Sequence, residues 1–239
     1  MKALNIIQKS SGSRLAAAVN ACLNAAHFSS EPDMQGGFYS IKGMSGRRYR
    51  YFINSLVRSL GETSYLEIGS WVGSTLCSAI HGNHVRAVAI DNWSEFGSEF
   101  GSPRELFYHN VKTFMTPETR VHVIEGDFRI VDYSSIGLFE IYLFDGPHEE
   151  KDQYEGLTMA LGALNDEFIF IVDDWNWQRV RKGTLDAIRD SKLEVLYAAE
   201  IRTTLDDSLP THAFRESDWH NGYYISVLSK KTRGYTCGL

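Results

Sequence analysis

Apolar residues gather in short runs at 64–68, 85–90, 121–125, 140–144 and 167–172, and the segments between them are mostly long enough to be helices. Runs of this length alternating with helical segments predict a parallel sheet with crossover helices on both faces, a doubly wound α/β architecture. Two further runs, 193–201 and 223–228, are joined by a polar stretch that holds Asp206, Asp207, Pro210 and Trp219 but shows no helical period. They predict an antiparallel pair at a sheet edge. Upstream, the run RLAAAVNACLNAA at 14–26 is rich in helix formers, and the 29–43 segment after it is broken by Pro32, Gly36 and Gly37. A second helix is expected after Ser45 as N-cap. It carries Tyr49, Phe52, Ile53, Leu56, Val57 and Leu60 at helical spacing and stops at Gly61. The chain thus divides into an N-terminal helix and loop at 1–44, suited to a lid or a dimer contact, one main domain at 45–229, and a flexible tail at 230–239 with no apolar period.

Composition narrows the classes. A chain of 239 residues with 43% hydrophobic and 23% charged residues supports one ordinary folded core. A net charge of −6 and the lack of a long Lys/Arg block argue against nucleic acid as a partner. Cys22, Cys77 and Cys237 form no CxxC pair, which argues against a zinc site or a disulfide framework. No run approaches the roughly 18 residues that a membrane span needs, and the N-terminus is a poor secretory signal. The expectation is a soluble, cytoplasmic protein acting on a small molecule, with a homo-oligomer left open.

In a doubly wound sheet, ligands bind beyond the carboxyl ends of the strands. Five such ends carry an acidic residue. The first, Glu67-Ile68-Gly69-Ser70-Trp71-Val72-Gly73-Ser74-Thr75, is a glycine turn leading into a helix near Ser74. Its glycines permit a tight turn and close approach of a ligand, although such turns also serve packing alone, and the dinucleotide spacing G-x-G-x-x-G is missing. The second end is Asp91, about twenty residues on, where a carboxylate can accept from both ribose hydroxyls. The third is Glu125-Gly126-Asp127, read either as an adenine contact or as a helix N-cap at Asp127.

These three motifs together resemble the successive cofactor motifs of class I S-adenosylmethionine (SAM)-dependent methyltransferases, whose domain is Rossmann-like, over residues 45–229. The resemblance implies SAM as cofactor, with Glu67 and Gly69 near its methionine end, Ser70, Gly73, Ser74 and Thr75 along the turn, Asp91 with Asn92 on the ribose, Asp127 with Phe128 near the adenine, Trp93 across the adenine face, and Asp145 beside the reacting end.

The fourth and fifth ends are Phe144-Asp145-Gly146-Pro147-His148 and Val172-Asp173-Asp174-Trp175, with the paired aspartates 28 and 29 residues after Asp145. Three converging carboxylates repel one another unless protonated or bridged by a cation, and an all-oxygen set suits Mg²⁺, Ca²⁺ or Mn²⁺. His148, in the loop beyond the fourth end, is either a surface residue or a base facing the same opening. The set resembles metal-dependent O-methyltransferases of the catechol and macrolide-sugar (macrocin) types. Histidine three residues after the first metal aspartate, followed by an Asp-Asp pair, is closer to the sugar type. The resemblance implies Asp145, Asp173 and Asp174 as ligands of Mg²⁺ or another divalent ion, His148 as base, and a hydroxyl of a small molecule such as a sugar as acceptor.

Two neighbouring features complete the expectation. Trp175 and Trp177 could offer stacking faces to a sugar, while Glu149, Asp152 and Arg179 read mainly as solvated loop positions. Arg47, Arg48 and Arg50 read as a solvated helix face or, second, as an anion-binding patch. A nicotinamide-dependent oxidoreductase, a metal-dependent hydrolase and a non-catalytic nucleotide-binding module compete on the same fold.

Overall fold

In strands 63–68, 139–144 and 164–172 every side chain of the last four positions is buried, so both faces of the sheet must be covered there. The computed structural model describes residues 3–8, 12–28, 37–95, 101–212 and 216–231. Its elements, in order, are β1 (Ala3–Gln8), α1 (Arg14–Phe28), α2 (Arg47–Leu60), β2 (Thr63–Ile68), α3 (Ser74–Ile80), β3 (Val85–Asp91), α4 (Pro103–Phe114), β4 (Thr119–Glu125), β5 (Phe139–Phe144), α5 (Glu150–Ala160), β6 (Leu164–Val172), α6 (Gln178–Asp190), β7 (Glu194–Arg202) and β8 (Tyr223–Ser229). The tail beyond Lys231 and the Pro32 and Gly36 positions of the expected loop lie outside the described residues.

The strands form one sheet in the order β1-β7-β8-β6-β5-β2-β3-β4. The five strands β6, β5, β2, β3 and β4 are mutually parallel. Side chains alternate between two cores. Tyr65, Ala87, Ile141 and Ile169 pack with α1 to α4 on one face, and Leu66, Val88, Tyr142 and Phe170 pack with α5 and α6 on the other. Strand order reverses at β2 and β5, the first strands of the two parallel halves, and this is where a doubly wound sheet opens its ligand crevice.

The Rossmann-like architecture agrees with the sequence reading, with one refinement at the edge. β7 and β8 do pair antiparallel, but β8 is inserted between β6 and β7, and β1 closes the sheet antiparallel to β7. The strand Ala3–Gln8 was not expected. It is a short edge strand in which Asn5, Ile6 and Ile7 are all exposed, so it lacks the alternation that marks a half-buried strand. β1 and α1 are therefore built into the same sheet and core as the rest, with Leu15, Val19 and Leu23 fully packed.

The start of α2 also differs from expectation. Its N-cap is Gly46, and the orphan amides of Arg47, Arg48 and Tyr49 donate to the Ser217 and Asp218 carbonyls. Ser45 instead accepts from Arg50 Nε and lies 3.0 Å from the Ser74 hydroxyl. The basic cluster divides: Arg47 lies on an exposed face as expected, Arg48 is half-buried, and Arg50 is the exception. Arg50 is wholly buried and donates to the carbonyls of Phe38, Tyr39, Ile41 and Gly43, while Arg47 and Arg48 pair with Asp218. One guanidinium thus fixes the 38–45 segment against the amino end of α3. No helix among the described residues is long and apolar enough to cross a membrane.

Candidate active site

The crevice begins at the glycine turn between β2 and α3. Gly69 has φ +84°, and its amide donates to the Ile90 carbonyl at the end of β3. A Cβ there would stand 1.8 Å from the Asp145 carbonyl oxygen, so only glycine lets the two halves of the sheet meet. Gly73, φ +82°, caps α3. Beneath the turn Glu67 is completely buried and accepts from Tyr65 Oη at 2.5 Å and Thr75 Oγ1 at 2.9 Å. Burial lifts its carboxyl to about 7, against the pull of those hydroxyls and of Ser70 beside it. Glu67 and Thr75 hence support the turn from below, and Ser74 faces Ser45.

At the end of β3, Asp91 ties the turn to its own loop: Oδ2 accepts from the Trp71 amide at 2.6 Å and Oδ1 from the Trp93 amide at 2.7 Å. Each oxygen keeps a second acceptor position. Trp93 has φ +48°, donates its indole N–H to the Trp71 carbonyl and packs edge-on against Phe107. Asn92 is exposed and accepts from the Ser94 amide. Asp127 takes the N-cap role: it accepts from the Arg129 amide at 2.9 Å and opens a short turn of 3₁₀ helix. Phe128 is buried edge-on against Phe144.

The carboxylates of the fourth and fifth ends do converge. Asp145, His148 and Asp174 each place a ligand atom within 4.8 Å of the others. His148 Nε2 lies 2.6 Å from Asp174 Oδ2. Asp174 has φ +58°, a conformation that costs a non-glycine residue about 1–3 kcal/mol and persists only where its surroundings enforce it. Asp173, nearly buried, is not in that trio. Its Oδ1 accepts from the Asp174 amide at 2.7 Å, and its charge acts on the buried Tyr223 and Tyr49 hydroxyls. Burial, then the neighbouring aspartates, push Asp145 and Asp173 well above the usual carboxylate range. Asp174 is also desolvated, but His148 holds it below that range, and the same contact raises the His148 imidazole against the effect of its own burial.

At the rim, Trp177 stands edge-on to His148 with ring centroids 5.1 Å apart, and the Arg179 guanidinium covers its ring. Trp175 offers no stacking face, since it is fully buried against Tyr224. Glu149 and Asp152 form a capping box at the start of α5.

Three residues outside the sequence reading join the site. Asn221 Nδ2 donates to Asp174 Oδ1 at 2.6 Å, Asn176 bonds to Asn221, and the charge of Asp174 reaches the buried His220. Two of them precede β8, which runs antiparallel to β6, so its amino end and not its carboxyl end meets the cluster.

No protein-family model and no curated protein sequence matches the chain. Solved structures do match. The SAH-bound methyltransferase PaMTH1 of Podospora anserina aligns with a TM-score of 0.56 at 15% identity, over 90% of this chain and 88% of that one. The O-methyltransferase TomG of Streptomyces achromogenes, involved in tomaymycin synthesis and in complex with SAM, gives 0.52 at 15% identity, over 93% and 92%. An O-methyltransferase of Bacillus cereus in complex with SAH gives 0.51 at 13% identity, over 93% of both chains. At such identities the likeness establishes architecture: the chain has the Rossmann-like fold of SAM-dependent methyltransferases.

Proposed function

We propose that the protein is a SAM-dependent O-methyltransferase that acts on a hydroxyl of a small molecule with the help of a divalent cation. The observation that carries this reading is the convergence of Asp145, His148 and Asp174 at the carboxyl ends of β5 and β6, beside the glycine turn of β2. Structural neighbours that are O-methyltransferases in complex with SAM or SAH support the transfer chemistry.

The residues suit a hard cation. Three carboxylates crowd one strand-end cluster, and among the described residues no Lys or Arg pairs with any of them. Asp145 and Asp174 would hold the ion, with Asp173 behind them adding its charge and not a ligand atom, and the ion would supply acidification and orientation of an acceptor hydroxyl. His148 Nε2 faces Asp174 Oδ2, a carboxylate oxygen that only accepts, so Nε2–H donates there, Nδ1 is the nitrogen left to take the acceptor proton, and Asp174 stabilises the imidazolium. SAM, held by the Gly69 turn and Asp91, would supply an electrophilic sulfonium methyl and a neutral thioether as leaving group for the deprotonated acceptor oxygen. The Gly69 turn and Asp91 set the donor side, and the edge of Trp177 bounds the acceptor side. A vicinal diol, as in a sugar or a catechol, fits this arrangement through chelation.

Calorimetric titration of SAM, SAH and NAD, with and without Mg²⁺, tests the reading. Micromolar binding of both sulfur nucleotides and not NAD is expected. Binding of NAD alone would make it a nicotinamide enzyme, and cation binding without either nucleotide would make it a hydrolase. With SAM bound, methyl transfer to a panel of sugars and catechols separates an enzyme from a silent binding module.

A further inference from the structure

Asp174 is the only residue of the Asp145–His148–Asp174 trio with a left-handed backbone, so something must hold it. Its Oδ2 faces His148, while its Oδ1 accepts from Asn221 at 2.6 Å. A carboxylate only accepts, so Asn221 must turn its NH₂ toward Asp174 and its carbonyl oxygen away. That oxygen accepts from Asn176 Nδ2 at 2.8 Å, which in turn directs Asn176 Oδ1 to the amides of Thr203 and Thr204 at 2.9 and 3.3 Å. The charge of Asp174 thus sets the sense of the whole relay.

Both asparagines are fully buried. Asn176 Nδ2 also donates to Thr203 Oγ1, whose hydroxyl donates to the His220 carbonyl. A Cβ on Gly222 would lie 2.9 Å from Asn176 Oδ1, so the glycine makes room for the amide. The far end of the relay is the 203–207 segment, where Asp207 accepts from the Gln178 amide and pairs with Arg181. That segment borders α6 just beyond Trp177.

We propose that Asn221 is a positioning residue: by donating from Nδ2 to Asp174 Oδ1 it fixes the carboxylate plane of Asp174 so that Asp174 Oδ2 faces His148 and the cation position, and Asn176 locks the 203–204 backbone to the same assembly. The inference rests on the cation-assisted reading for its functional meaning, while the relay itself belongs to the protein without a ligand. Orienting groups of this kind typically change metal affinity by about 10–100-fold when removed.

The test uses the full chain with Asn221→Leu, which keeps the volume and removes the donor, and Asn221→Ala in parallel in case leucine is not accommodated. Mn²⁺ is titrated by calorimetry in the presence of SAH, and SAH affinity is measured separately. A loss of about tenfold or more in Mn²⁺ affinity with SAH affinity unchanged supports the inference. Unchanged Mn²⁺ affinity, or equal losses for Mn²⁺ and SAH as a merely structural role would give, overturns it. If the unsubstituted protein takes up no Mn²⁺, the cation reading falls by itself, and the ¹³C–¹H ring resonance of His148 decides the positioning role. A shift of that resonance in the Asn221 variants supports it, and an unmoved one overturns it.

Discussion

The Asp145 carbonyl oxygen occupies the space beside Gly69 in which any side chain would begin, 1.8 Å from where a Cβ would stand. The two residues directly follow β2 and β5, the parallel strands at which the strand order reverses, so their contact sets the floor of the crevice. Gly69→Ala should be doubly unfavourable, because φ is +84° and the clash is with backbone that cannot rotate away. We expect a loss of more than about 2 kcal/mol in urea unfolding and SAH binding weakened at least tenfold. Gly162→Ala, with nothing within 4 Å of the added carbon, is the control and should be near neutral. Equal behaviour of the two variants would remove the crossover argument.

Glu67 gives a pH-dependent prediction. Its folded carboxyl titrates near 7, against an ordinary value of 4.5, because burial disfavours the charge. The stability linked to its neutral form is fully present below pH 4.5 and is lost as pH rises through 7. Glu67→Gln removes this dependence. Relative to the unsubstituted protein, the variant should gain about 3 kcal/mol between pH 4.5 and pH 8 in denaturant titrations. The gain is read as a difference along the pH axis, so any fixed cost of altering the Tyr65 and Thr75 hydrogen bonds cancels. A constant difference across that range would show that Glu67 is ionised without penalty.

Much of the site was legible because parallel strands deliver their carboxyl ends to one edge. Asp91, Asp145 and Asp174 could be found by reading the one or two residues that follow each apolar run. The same rule concealed Asn221 and His220, since β8 runs the other way and presents its amino end to the cluster. Their signal was present in the expected antiparallel pairing of the last two runs, once strand direction is carried through to the residues preceding 223. Arg50 was hidden for another reason. Three arginines within four positions look alike in sequence, and only the carbonyls of the 38–43 segment distinguish the buried one. Trp175 was likewise indistinguishable from Trp177 until Tyr224 covered it.

Arg50→Met should therefore act through the fold. It leaves the carbonyls of Phe38, Tyr39, Ile41 and Gly43 without this donor, and each buried orphan costs about 1–3 kcal/mol. We expect a loss on the order of 4 kcal/mol together with new proteolytic cleavage between residues 37 and 45. Cleavage elsewhere, or none, would mean that the segment is held by other contacts.

A cation at the aspartate cluster carries its own pH signature. Burial and mutual repulsion raise the Asp145 and Asp173 carboxyls, so the ligand-free fold is favoured by their neutral forms and loses stability as pH climbs through their folded values. A divalent ion binds the ionised forms, so its uptake releases protons and strengthens as pH rises. Adding Mg²⁺ or Mn²⁺ should raise the thermal midpoint, by more at pH 8 than at pH 6, and EDTA should reverse the rise. Asp174→Asn should abolish most of the response while leaving the SAH-induced shift in place, because Asp174 is remote from the Gly69 turn and Asp91 in the chain and joins the crevice only through the β6 end. A midpoint that ignores the cation at both pH values would separate the nucleotide site from any metal chemistry and leave His148 and Asp174 as an acid–base pair acting alone.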